Sequence, residues 1–291
     1  MANIELIKIL RDRTGAGIMD CKNALAATGD DVDKACDWLR EKGIAKQAKK
    51  ADRIAAEGLV TIAKCDKCGK AVIVEVNCET DFVAKSDPFK ALVNECADSV
   101  LKNDVKTNEE AISLNEKLFT DATVKLGEKL SFRRFRKVEK TGAQGFGTYI
   151  HGQGRIGVIV LLEKEDAELA KGLSMHIAAN NPKYVHMDDI PQDVIEAEKK
   201  IQLETCKNDP KLASKPEQAL ANIVKGKVNK IFSESVLDDQ IYLMDGEKKV
   251  SQVLVEKGNK VVSFVRFAVG EGIEKRHENF AEEVAKQMGA N

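Results

Sequence analysis

What this sequence most clearly lacks is an excess of charge of either sign: 46 Lys and Arg stand against 47 Asp and Glu, a net charge of −1. Composition therefore supplies no global positive field of the kind that draws a protein onto nucleic acid. No stretch approaches the roughly 18 apolar residues of a spanning helix, and the start Met1-Ala2-Asn3-Ile4-Glu5 carries neither a signal-peptide pattern nor a basic transit segment. A soluble cytoplasmic protein with no membrane partner is expected. Aromatic residues are scarce, at 5%. The seven cysteines are odd in number and scattered, which fits reduced thiols in a cytosol better than a disulfide framework. Serine nucleophile elbows are missing, and His151, His176, His186 and His277 show no ligand spacing. Neither an enzyme nor a bound metal or cofactor is expected.

What is present is 43% hydrophobic and 32% charged residues in a chain of 291, an ordinary helix-rich globular composition long enough for two or three folding units. Three helices separated by glycine turns are predicted in the first fifty residues. Their stripes are Ile4, Ile7 and Leu10; Ile18, Cys21 and Leu25; and Val32, Ala35, Cys36 and Leu39. Gly29 and Asp30 supply the stop of the second helix and the cap of the third, and residues 46–53 read as a linker. From Gly58 the period changes to two. Residues 59–64 and 71–78 read as paired strands around a turn at 65–70, followed by a helix that Asp87-Pro88 opens and that carries Phe89, Leu92, Val93, Cys96 and Val100. The order strand, turn, strand, helix returns at 146–151, 156–163 and 167–179, an internal pseudo-repeat. Between the copies lie a helix over 111–130 and a strand over 131–138. Helices over 191–207 and 216–235, with Val194, Ala197 and Ile201 facing Leu220, Val224 and Ile231, read as a hairpin around a loop with Pro210 and Pro216. A strand over 260–269 and an amphipathic helix over 274–288 close the chain. The class is α+β with antiparallel strands, since turns rather than crossover helices join each strand pair.

Three motifs resemble chemistry. Gly152-Gln153-Gly154-Arg155-Ile156-Gly157 spells the dinucleotide fingerprint, yet the strand run Val158-Ile159-Val160-Leu161-Leu162 follows where that fingerprint requires a helix, so a hairpin turn is the better reading. Cys65-Asp66-Lys67-Cys68-Gly69 is half of a zinc knuckle without a second ligand pair, although Cys78 lies on the adjoining strand; a turn with two free thiols is favoured. Redox chemistry of the thioredoxin kind would want the pair at a helix N-terminus. Arg133-Arg134-Phe135-Arg136-Lys137 has the basic, aromatic-bearing character of nucleic-acid binders, but a solvated edge strand is favoured over a translation-associated RNA-binding role.

Asn77-Cys78-Glu79-Thr80-Asp81-Phe82-Val83-Ala84-Lys85 links the second strand to the following helix. It sets a bulky Phe beside a carboxylate in a connecting loop. The corresponding loop of the second copy, Glu163-Lys164-Glu165-Asp166, has no aromatic, so the ring is not needed to turn the chain. Pattern leaves two readings of Phe82 open: a staple of the next helix onto its own sheet, or a side chain presented to a partner.

Thr80-Asp81-Phe82-Val83-Ala84 after Glu75-Val76-Asn77-Cys78 resembles the signature of the elongation factor Ts family. So do Arg13-Thr14-Gly15-Ala16-Gly17 with Met19-Asp20-Cys21-Lys22, His151-Gly152 running into Arg155-Ile156-Gly157-Val158, and Val269-Gly270-Glu271-Gly272-Ile273-Glu274-Lys275. These matches span the chain in order; the Cys65–Cys68 turn and the extra residue in Gly152-Gln153-Gly154 are local departures. The resemblance implies a ubiquitin-associated-like helical domain at 1–54 and a core of two related subdomains at 55–140 and at 141–185 with 236–268. It also implies a coiled-coil dimerisation arm at 186–235 and a C-terminal module at 269–291.

By the same resemblance the function is guanine nucleotide exchange on elongation factor Tu, met in its GDP-bound and nucleotide-free forms. The loop of Thr80, Asp81, Phe82 and Val83 enters the GTPase domain and disturbs its magnesium site. Lys22, Leu126, Gly127, His151, Leu243 and Met244 fall at further contact positions, and a homodimer through the arm is implied. A P-loop GTPase holds GDP by backbone amides, a lysine and magnesium. A factor that prefers the nucleotide-free shape weakens GDP by the factor by which GDP weakens it.

Overall fold

A computed structural model describes residues 4–50, 52–209, 212 and 215–273, with 44–49 described by backbone alone. The helix expected over 274–288, with His277, and Pro210 of the hairpin loop lie outside the described residues. Among the described residues, ten α-helices and six strands form an α+β protein with two three-stranded antiparallel sheets. None of these helices is long and apolar enough to cross a membrane.

Helices α1 (Ile4–Thr14), α2 (Ile18–Thr28) and α3 (Val32–Lys49) come first. Gly15 and Gly29, at φ +67 and +65, take the left-handed turns between them, a conformation glycine adopts without steric cost. Asp31, one residue beyond the expected cap, accepts from the Asp33 and Lys34 N–H groups at 3.1 and 3.0 Å, while Asp30 itself sits at φ +65. Leu10, Cys21, Leu25, Ala35 and Leu39 form a small core that leans on Val124 from further along the chain. Residues 46–53, expected as a linker, are helical as far as Lys49, because an Ala- and Lys-rich stretch without glycine or proline has every reason to prolong a helix.

Strands β1 (Glu57–Cys65) and β2 (Lys70–Cys78) pair antiparallel; α4 (Asp81–Lys85), α5 (Asp87–Lys102) and α6 (Asn108–Leu126) follow, and β3 (Ser131–Glu139) returns to the free edge of β2. The second copy repeats this plan with β4 (Gly145–His151), β5 (Ile156–Leu162) and α7 (Ala167–Asn180). Its third strand, β6 (Val261–Ala268), arrives only after α8 (Gln192–Asn208), α9 (Glu217–Ser233) and α10 (Val250–Glu256). Ser86 rather than Asp87 caps α5, its hydroxyl accepting from Phe89 N–H, which leaves Asp87 and Pro88 as the first helical residues.

The central strands β2 and β5 are apolar on both faces because both faces are covered. Val72, Val74 and Val76 pack under Phe89, Leu92, Val93, Cys96 and Val100 of α5 and under α6. Val158, Val160 and Leu162 pack under Leu173 and Ile177 of α7 and Leu254 of α10. The opposite faces meet each other through Val60, Ile73, Val138, Ile159, Leu161 and Phe267, so the layers run helix, sheet, sheet, helix. Gly157 marks the closest approach: a Cβ there would lie 2.5 Å from Val60 Cγ1.

Helices α8 and α9 pack on each other, but the inner stripe of α8 is Ile195, Leu203 and Cys206, set against Leu220, Val224, Val228 and Phe232. Val194, Ala197 and Ile201 of the expected stripe, and Ile231, are exposed. Val194 and Ile195 are adjacent and both apolar, so spacing fits either stripe, and the facing helix selects one.

Candidate functional site

The Thr80–Lys85 loop leaves the buried end of β2 and makes one helical turn. Thr80 is its cap: the hydroxyl accepts from Val83 N–H at 3.3 Å, the interaction that short polar N-caps supply. The turn is anchored by its small residues, Ala84 buried and Val83 half-buried against the core under α5. Phe82 points the other way and is 82% exposed, which overturns the reading of this ring as a staple. Successive helical positions differ by about 100°, so one turn that buries Val83 and Ala84 must expose Phe82. Asp81 pairs with Lys85 at 2.6 Å, and that ammonium, with a smaller contribution from Arg155, holds the carboxyl below the usual range. Asp81 and Phe82 thus offer an ionised carboxylate and an unpartnered ring side by side.

The base of the loop is held by residues that pattern did not single out. Glu128 accepts from Thr80 Oγ1 at 2.6 Å, from Thr80 N–H at 3.1 Å and from Glu79 N–H at 3.0 Å. Glu79 in turn accepts from Lys129 N–H at 2.6 Å and from Arg53 at 3.2 Å. Lys129 Nζ donates to Arg53 O and Lys50 Nζ to Gly127 O. Below, the Cys78 thiol donates to Thr80 O at 3.2 Å; burial pushes that thiol up to about 12, so it stays a donor. Apart from the local Cys78 contact, these partners are 26 to 77 residues apart in the chain, and no local spacing signals them.

The other candidates are spread over several elements. Gly127, at φ +72, caps α6 beside Glu128 with open space about its Cα, whereas Leu126 is half-buried against the core. His151 ends β4, exposed, with Nδ1 3.1 Å from Tyr149 Oη. The turn it begins is a hairpin turn, as expected, with Gly152, Gln153 and Gly154 all at positive φ. Gly154 O accepts from Val60 N–H of β1 at 2.8 Å, and Arg155 pairs with Glu57. Lys22 is exposed on α2, on a separate element. Leu243 and Met244, each 48% exposed, sit in a loop before α10. That loop is held by the buried His176: its Nδ1 accepts from Leu243 N–H at 3.1 Å, and its Nε2 lies 2.8 Å from Gln240 Oε1. Burial lowers the imidazole from its ordinary value, and a neutral ring with the proton on Nε2 satisfies both contacts.

The basic strand proves to be an internal clamp. Pairing of β2 with β3 shifts register between Glu75 and Val76, and such a bulge places two consecutive side chains on one face. Arg133 Nη1 and Arg134 Nε therefore both reach the fully buried Glu75, at 2.8 and 2.6 Å, with Gly270 N–H donating to it at 2.8 Å. β3 is the edge strand expected and Arg136 is exposed on it, but the bulge breaks the alternation of charges, and Lys137 Nζ is engaged on Asn103 O at 2.6 Å. Cys65 and Cys68, expected as free thiols, are joined as a disulfide.

A family model described as Elongation factor TS matches residues 79–271, about two thirds of the chain. The matched span opens one residue before Thr80 and holds every candidate above except Lys22.

Proposed function

This chain belongs to the elongation factor Ts family of translation elongation factors, and from that premise we propose that it is a guanine nucleotide exchange factor that binds elongation factor Tu with GDP and promotes GDP release. The protein acts in this reading without a covalent step and is not an enzyme. What chiefly supports it is Phe82, 82% exposed on a turn whose base is fastened by Glu128, Glu79 and Arg53. An exposed ring on an ordered mount loses little entropy on docking. Burying it contributes about 1.5 to 3 kcal/mol, available only to the partner shape that has a cleft for it. Phe82 would wedge the GTPase open while the ionised Asp81, with Thr80 and Val83 shaping the loop, repositions backbone and solvent about the magnesium and phosphate site. Linkage then requires that GDP and this protein weaken each other equally.

The finer organisation belongs to the same reading. Residues 1–54 would be a ubiquitin-associated-like anchoring domain bearing Lys22, and 55–140 and 141–185 with 236–268 two related core subdomains. The 186–235 hairpin would be a dimerisation arm, followed by a C-terminal module at 269–291. Gly127, His151, Leu243 and Met244 would add exposed contact surface, with Leu126 supporting it from below. The outward Val194, Ile201 and Ile231 supply an apolar face suited to a homodimer. Arg133 and Arg134 are turned inward on Glu75, which speaks against the RNA-binding alternative, and the reading includes neither nucleic acid nor membrane as a partner, in the cytoplasm.

Replacing Phe82 by Ala should slow release of a fluorescent GDP analogue from elongation factor Tu by at least about tenfold, the equivalent of roughly 1.4 kcal/mol, with the circular dichroism of this protein unchanged. Stopped-flow fluorescence decides it, and an undiminished rate would refute the wedge.

A further inference from the structure

We propose that Cys65 and Cys68 form a thiol–disulfide exchange site whose co-substrate is a small thiol or its disulfide. The pair occupies the turn between β1 and β2, with Cys68, Asp66 and Lys67 exposed and Cys65 half-buried. Of the other cysteines, Cys21, Cys78, Cys96 and Cys206 are buried and Cys36 is half-buried. Burial pushes the Cys78 and Cys96 thiols up to about 12, which leaves them unreactive, because the thiolate is the reacting form. Thiol chemistry in this protein is thereby concentrated at one exposed turn.

The bond is not needed to close the turn. Nine residue pairs of β1 and β2, ending at Cys65 with Lys70, already hold the hairpin, and Lys140 N–H donates to Gly69 O at 2.8 Å from outside it. Stabilisation by a cross-link grows with the length of chain it encloses, and here the sequence separation is three. A bond that is exposed and structurally dispensable belongs to the labile class rather than the structural one. The turn is also prepared for the reduced form. Cys68 N–H donates to Cys65 Sγ at 3.2 Å, a hydrogen bond that the Cys65 sulfur can keep when it leaves as a thiolate. Among the described residues no group of three His, Cys, Asp or Glu could hold a metal ion, so those residues offer the pair no further ligands for a tetrahedral site.

The exchange runs in two steps. A small thiolate attacks the exposed Cys68 Sγ; the Sγ–Sγ bond breaks, its electron pair leaves on Cys65 Sγ, and a mixed disulfide forms at Cys68. A second small thiolate attacks the small molecule's own sulfur in that mixed disulfide, releasing the Cys68 thiolate and the small disulfide. Two electrons pass from two small thiols to the pair, and the protons those thiols lose reach the cysteines through solvent. Oxidation is the reverse, with the small disulfide as oxidant.

Glutathione provides the test. Full-length protein is equilibrated in buffers ranging from reduced to oxidised glutathione, quenched in acid, alkylated and read by peptide mass. The disulfide should be nearly complete at the oxidised end and fall to about a tenth or less at the reduced end, with the fold unchanged by circular dichroism. A bond that survives excess reduced glutathione in the folded protein is structural and overturns the proposal. So does a dithiol that persists in excess oxidised glutathione, or a reduced pair that one equivalent of zinc protects from alkylation. The variant Cys65→Ser should trap a glutathione adduct on Cys68; its absence would overturn the assigned point of attack.

Discussion

Glu128→Ala is the perturbation that isolates how the Phe82 turn is mounted, because it touches neither Phe82 nor Asp81. The carboxylate accepts three hydrogen bonds from Glu79 and Thr80, at 3.0, 3.1 and 2.6 Å. Water replaces them at this exposed site, so each is worth only about 0.5 to 1 kcal/mol, and together about 2 kcal/mol. The core under α5 is untouched, so the fold should persist, with global stability lower by up to the same amount. The loss should appear locally as well, with amide exchange at Thr80 faster by about thirtyfold, the equivalent of 2 kcal/mol. If docking needs the ordered turn, affinity for nucleotide-free elongation factor Tu should fall by up to the same factor. Glu128→Gln retains one acceptor and should fall between. Hydrogen exchange read by mass spectrometry and a calorimetric titration measure the two halves. Unchanged exchange at Thr80 would show that Glu128 is not the mount; faster exchange with undiminished affinity would show that the mount does not matter to docking.

Glu75→Gln removes a fully buried charge facing Arg133 and Arg134, whose side chains are 22% and 27% exposed; that partial exposure sets the cost near the lower end of the usual range, about 3 kcal/mol. Melting followed by circular dichroism should drop by roughly 6 to 12 °C, and a shift below about 2 °C would contradict the clamp. Gly157→Ala puts a methyl 2.5 Å from Val60 Cγ1, an overpacking worth about 1 to 3 kcal/mol; adding Val60→Ala should recover part of the loss in urea midpoint, and strictly additive losses would argue against the contact. His176 has its folded pKa lowered by burial. Its contribution is therefore complete above the unfolded value, near 6.5, and is lost as pH falls below that value towards the folded one. Wild type should lose more stability than His176→Gln over that descent in denaturant titrations, and parallel curves would dismiss the imidazole.

Much of this protein was already determined by its sequence. The short apolar runs Ala71-Val72-Ile73-Val74 and Val158-Ile159-Val160-Leu161 have the length and β-branched character of strands covered on both faces, the stripe of Phe89, Leu92, Val93, Cys96 and Val100 repeats at the helical period, and the glycines at 15 and 29 mark turns. Such local patterns survive in any tertiary setting, and the motif Thr80-Asp81-Phe82-Val83 is a contiguous string. What only the tertiary structure decided depends on residues remote in the chain. The outward turn of Phe82 follows from a core that takes Val83 and Ala84 instead. Arg133 and Arg134 turn inward because a bulge opposite Glu75 cancels the alternation on which a strand reading rests. The inner stripe of α8 was chosen by α9, and the mount of the Phe82 turn was supplied by Glu128, 48 residues beyond Thr80. A one-dimensional pattern records which positions are apolar. Which surface each side chain meets, and so whether a ring is buried or offered, is settled only when distant segments pack together.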